Sequence, residues 1–83
     1  MKIAIIHWTD SALHGVENYK ADDPELKPIK GVSIGIVVKN TKEAITLAID
    51  AWETGYYRNT ETILKRQIDH IEIKDLKLNQ TIN

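Results

Sequence analysis

The stretch GVSIGIVVKNTKEAITLAIDAW, residues 31–52, decides how this chain folds. From Gly31 to Lys39 it alternates, with Val32, Ile34, Ile36 and Val38 on one face and Ser33, Gly35 and Val37 on the other, which is the period of a strand. Gly35 in the middle marks a bend or the close approach of another backbone. Asn40, Thr41 and Lys42 are turn residues. From Glu43 to Asp50 the alternation resumes, Ile45, Leu47 and Ile49 against Ala44, Thr46 and Ala48, so the two runs read as a hairpin. A helix competes for the second run, because Ile45, Ile49 and Trp52 also fall at i, i+4 and i+7 and Lys42, Glu43 and the alanines are good helix formers. The strand is the preferred reading, and a helix over residues 41–52 would remove the sheet built on it.

Working outward, Lys2–Thr9 places Ile3, Ile5 and His7 on one face and Ala4, Ile6 and Trp8 on the other, a strand apolar on both sides. Residues 10–30 lose the periodicity and hold Gly15, Asp22, Asp23, Pro24 and Pro28, so they read as one long loop, with a helical turn expected near residues 24–27. Beyond the hairpin come a turn at Gly55, a strand from Tyr56 to Ile63, a single helical turn over Leu64–Gln67 and a last strand from Ile68 to Ile73. Leu76 and Leu78 extend that strand or dock on a partner, and residues 79–83 form a polar, frayed tail. This order predicts a mainly β fold, a small five-stranded, partly open barrel of the Src-homology-three type with one long loop after the first strand. Residues 1–78 make the single domain. Its expected core is Ile5, Val32, Ile34, Ile36, Ile45, Leu47, Ile71 and Ile73.

Composition narrows the function classes. The 83 residues are 42% apolar and 28% charged, which suits a folded chain. Eleven basic and 12 acidic side chains leave a net charge of −1, so no global field draws the chain to nucleic acid or to anionic lipid. With no cysteine there is no disulfide framework and no thiolate metal site, which favours a cytoplasmic home. No run approaches the roughly 20 apolar residues of a membrane-spanning helix. Thirteen Ile and no Phe suit pleated surfaces. A domain this small has little core to spare, and a homo-oligomer, most simply a dimer, is expected.

Two clusters are candidates for chemistry. His7, Trp8, Asp10, Ser11 and His14 straddle the end of the first strand and the long loop. Ser, His and Asp suggest a nucleophilic triad, yet no nucleophile elbow or oxyanion loop accompanies them. His7, Asp10 and His14 suggest a metal, yet their spacing matches no standard zinc pattern. The simpler alternative is a turn capped by Asp10 or Ser11 with Trp8 in the core. The second cluster is Trp52, Tyr56, Tyr57 and Arg58, followed by Lys65 and Arg66. Such residues can stack on bases and hold phosphates, or simply plug a barrel end, and the neutral overall charge disfavours nucleic acid. No glycine loop is followed by the lysine and helix that cradle phosphate, and no cofactor is expected.

The residues Ile6-His7-Trp8-Thr9-Asp10-Ser11, His14-Gly15, Val32-Ser33-Ile34-Gly35-Ile36-Val37-Val38, Ile45-Thr46-Leu47-Ala48, Ile63-Leu64-Lys65-Arg66-Gln67-Ile68 and Ile71, in that order, resemble a family of small proteins of unknown function carried by bacteriophages and prophages. The similarity covers residues 2–76, and Trp8-Thr9-Asp10-Ser11 and Ser33-Ile34-Gly35 are its most specific parts. An aromatic usually follows the loop glycine, where Val16 and Glu17 stand here, and a proline usually stands at Leu64. The resemblance implies a mobile-element origin and names no reaction. Two expectations follow: a non-enzymatic binding protein acting on a host protein, of the inhibitor or counter-defence kind, or a protein that sequesters a small anionic ligand such as a signalling nucleotide, in a pocket at a subunit boundary. An enzyme is the third and least supported class. The expected binding residues are Trp8, Asp10, Ser11, His14, Tyr57 and Arg58, with His14, when protonated, and Arg58 meeting the anion.

Overall fold

A computed structural model of the chain describes residues 1–10 and 28–77. Five strands make one antiparallel sheet: β1 (Lys2–Asp10), β2 (Ile29–Asn40), β3 (Ala44–Ala51), β4 (Tyr57–Leu64) and β5 (Ile68–Asp75), in the spatial order β4-β3-β2-β1-β5. A single 3-10 turn, Lys65–Gln67, joins β4 to β5. β4 and β5 are the two edges, and no ladder joins them among the described residues. The expected helical turn near residues 24–27, most of the expected long loop, and the tail lie outside the described residues.

Residues 41–52 settle as strand and turn. Thr41 shapes the β2–β3 connection: its backbone N–H and hydroxyl both donate to the Ala44 carbonyl, at 2.9 and 3.1 Å, and the Ala44 N–H donates back to the hydroxyl at 3.2 Å. Thr is well suited to such local bonds, which start a turn and compete with a helix. At the far end of β3 the Gly55 N–H donates to the Trp52 carbonyl and the Trp52 N–H to the Tyr56 carbonyl, both at 2.9 Å. Gly55 sits at φ 91°, a backbone region that glycine enters without steric cost.

β2 belongs to two ladders. From Ile29 to Ile36 it pairs with β1, and from Ile36 to Asn40 with β3. Gly35 stands at the changeover. A Cβ there would lie 2.9 Å from the Ala48 carbonyl oxygen and 3.0 Å from Leu47 Cβ, so glycine is what lets β3 cross this closely. Sharing one bent strand between two ladders turns the two halves of the sheet toward each other around one core.

The core consists of Ala4, Ile6, Ile45, Leu47 and Ile63, with Trp8, Val37, Ile68 and Ile71 packed against it and Ala48 buried as well. Three of the eight expected core residues stand where the sequence put them: Ile45 and Leu47 are buried, and Ile71 packs against the cluster. Of the others, Ile5, Val32, Ile34 and Ile36 are corrected by the sheet's phase, and Ile73, in phase with Ile71, by its place on an edge strand. The register pairs Ala4 with Gly35 and Ile6 with Ser33, so the inward face of β2 carries Ser33, Gly35 and Val37. Val32 and Ile34 stand 55% and 65% exposed, while Ile5 and Ile36 are half-buried beside them. Ile73 is exposed on the edge strand. Both faces of β1 and β2 are apolar in sequence, so alternation fixed their period without fixing which face turns inward. Small residues on the inward face, Ala4, Ser33 and Gly35, leave the space that Ile45, Leu47 and Ile63 fill.

Urea denaturation separates the two assignments. Ile45→Ala or Ile63→Ala should cost about 2–5 kcal/mol, whereas Ile34→Ala, on the exposed face, should stay within about 1 kcal/mol of the parent.

Candidate functional site

Past the Ile36–Ala48 pair, β2 turns away to follow β1 and β3 continues without it. The gap between them is a cleft of about 170 Å³. Its apolar walls are Ile34 from β2 and Leu47 and Ile49 from β3, and its polar lining is Ser33, Asn59 and Glu61. Ile49 is 69% exposed, because the β2 segment that would have covered it has left. Alternation along β4 explains the rest: Asn59 and Glu61 fall on the face of buried Ile63 and so enter the space under the bend.

A hydrogen-bond relay crosses this cleft. Trp8 Nε1 donates to Ser33 Oγ at 3.0 Å, and Ser33 Oγ donates to Glu61 Oε1 at 2.7 Å. The direction is forced, since an indole N–H can only donate and an ionised carboxylate can only accept. The second bond has the length of a charge-assisted contact. The relay links β1, β2 and β4, the last across the body of the domain. Asn59 adds a local peculiarity with φ 57°, a left-handed backbone that asparagine tolerates better than most residues.

The residues singled out from the sequence are distributed over separate places. Trp8 is half-buried against the core and starts the relay, so its structural and polar roles coincide. Asp10 is exposed at the end of β1 opposite Ile29. Ser11 and His14 lie outside the described residues. Tyr57 and Arg58 stand at the start of β4 beside the Gly55 turn, where Arg58 Nε meets Asp50 Oδ2 at 3.0 Å and its guanidinium lies 5.2 Å from the centroid of the Trp52 ring. No hydrogen bond or ion pair among the described residues links Trp8 to Tyr57 or Arg58. His7 lies across from His70, rings 5.8 Å apart, on the other side of the sheet from the cleft.

Glu61, Asn59 and Ile49 were missed as site residues. Their signal was a carboxylate and an amide two and four positions before Ile63, on the alternate positions that ought to be apolar. Ser33, the one hydroxyl within the Val32–Val38 run, enters the sequence reading through strand alternation and the Ser33-Ile34-Gly35 resemblance, not as a binding residue.

Basic residues gather elsewhere: Lys42, Lys65 and Arg66, with Glu43, line a depression of about 260 Å³ beside the 3-10 turn. Among the described residues no three His, Asp or Glu side chains are grouped to hold a metal ion, and no helix is long and apolar enough to cross a membrane. No family model, curated protein or solved structure matches the chain.

The relay predicts energetic coupling. In a double-mutant cycle of Trp8→Phe and Ser33→Ala, followed by thermal or urea unfolding, the pair should couple by about 0.5–1.5 kcal/mol. Simple additivity would mean that the bond contributes nothing net.

Proposed function

We propose that this chain is a non-enzymatic binding module that engages a partner protein through the cleft between β2 and β3. The observation carrying this reading is the cleft's construction, with exposed Ile34 and Ile49 flanking a polar floor held by the Trp8–Ser33–Glu61 relay. Exposed aliphatic walls around a few fixed polar groups are the ordinary makeup of a recognition surface. The relay uses the Ser33 hydroxyl as a link, its oxygen accepting from Trp8 and its proton donated to Glu61, and so holds the polar floor in place.

For the scaffold we propose a partly open barrel of the Src-homology-three type. The strand order, the 3-10 turn between the last two strands and the bent, shared β2 support it. The resemblance to small phage and prophage proteins makes the proposed partner a host protein met in the cytoplasm, as a counter-defence factor would meet it. Self-association is proposed for the outer face of β1 and β2, where half-buried Ile3, Ile5 and Ile36 adjoin exposed Val32. A monomer at every concentration in sedimentation equilibrium would remove that part.

The alternative, sequestration of a small anion, has one specific observation in its favour, the basic depression at Lys42, Lys65 and Arg66. The cleft itself does not suit it. About 170 Å³ is below the roughly 300–1,000 Å³ of pockets that enclose whole ligands, and a carboxylate lines it.

Affinity capture from host extract with the parent protein and Ile49→Asp side by side tests the module reading. Ile49 is exposed, so the variant should stay folded at a cost of about 1 kcal/mol and should lose the protein that the parent retains. Equal retention by both baits, or a nucleotide retained by the parent in native mass spectrometry and no protein, would count against the reading.

A further inference from the structure

We infer that the β2–β3 cleft is built to take a lysine side chain presented by an extended segment of a partner protein. The inference rests on the binding reading above and names the chemistry of what the cleft recognises.

Glu61 carries the argument. Among the described residues it is the only ionisable side chain lining the cleft, and there the relay feeds it from one side: Ser33 occupies one acceptor position on Oε1. A carboxylate offers about four such positions, so most of its capacity is left for an incoming donor. Among the described residues no cation is paired with it. Arg58, three residues earlier on the same strand, points to the opposite face by strand alternation and has its Nε on Asp50. The remaining lining is aliphatic, from Ile34, Leu47, Ala48 and Ile49, apart from Asn59. The cleft thus combines apolar walls with one negative terminus, which matches an apolar stem ending in a positive head. Glu61 already shares Oε1 with Ser33, and this disfavours the two-oxygen fork that arginine exploits, whereas the ammonium of lysine acts as a point charge and can use Oε2 alone.

The geometry of the opening favours an extended segment as the carrier. The cleft lies where β2 and β3 part, and between Ile49 and Ala51 no ladder covers the β2-facing side of β3 among the described residues. A strand edge of this kind accepts an extended peptide through main-chain hydrogen bonds while one side chain enters the adjoining pocket.

The test uses capped nonapeptides of alternating threonine and valine with a central lysine, norleucine or glutamate, titrated into the full-length protein while backbone amide signals of Ile34, Ile49 and Glu61 are followed by NMR. The lysine peptide should bind about tenfold more tightly than the norleucine peptide, with the glutamate peptide weakest. Glu61→Gln retains an oxygen for Ser33 and so preserves the relay, and in that variant the preference for lysine over norleucine should vanish. Equal affinity of the lysine and norleucine peptides for the parent would overturn the charge assignment while leaving the cleft a binding surface. Binding of n-butylammonium as tightly as the lysine peptide would overturn the protein segment as carrier. Absence of shifts at all three residues with every peptide would sink the inference altogether. The capture experiment with Ile49→Asp uses none of these probes, so it reports separately on the module reading.

Discussion

The backbone of β3 passes so near Gly35 that a single added carbon would sit 2.9 Å from a carbonyl oxygen. Everything else follows from that approach. Because β2 can press against β3 at this point, it can leave one ladder and join another within a single residue. The bend brings Ala4 and Ile6 of β1 over Ile45, Leu47 and Ile63 of the β3–β4 pair, and the core forms in the angle. The same bend uncovers the far end of β3, so core and cleft are the inner and outer products of one local contact. Any residue larger than glycine at this position would force the strands apart and loosen both, at a cost of about 1–3 kcal/mol if the backbone could adjust at all.

The sequence was informative about period and poor about phase. Strand character in residues 31–52 was legible because Ile and Val recur every second residue and a turn-forming Thr41 interrupts them. The inward face of β2 was not legible, since Val32, Ile34 and Ile36 outweigh Ser33 and Gly35 on any hydropathy argument. The decision lay in volumes: β3 and β4 bring large Ile and Leu to the centre, so their partners have to be small. Pairwise register, which no single strand encodes, settles such a choice. The site was half legible for a related reason. Trp8 stood out by its rarity, but Ser33 and Glu61 are common residues whose significance comes from meeting across 28 positions of chain.

The relay also clarifies what Trp8 contributes. An indole at the border of a core has an apolar body to bury and one N–H to satisfy. Here the donor is used to orient a serine, and the serine in turn orients a carboxylate. Pre-organisation of this kind reduces the freedom lost when a partner binds. It also makes Glu61 an exposed group with a fixed attitude on a rigid strand pair, in contrast to the ion pair of Arg58 and Asp50 at the hairpin, which is solvated and worth little.

The position of β1 bears on how the protein comes into being. It lies between β2 and β5, so its second neighbour is made about 60 residues later, as the contact of Thr9 with Asp69 illustrates. At a translation rate of about 5–20 residues per second, the Ile-rich first strand leaves the ribosome roughly 3–12 s before β5 exists to cover its other side. The meander of β2, β3 and β4 can assemble meanwhile, because its connections are short and loop closure is fast. Of the five strands, the one made earliest is therefore among the last to be enclosed, and its isoleucines are the apolar surface left waiting for a neighbour.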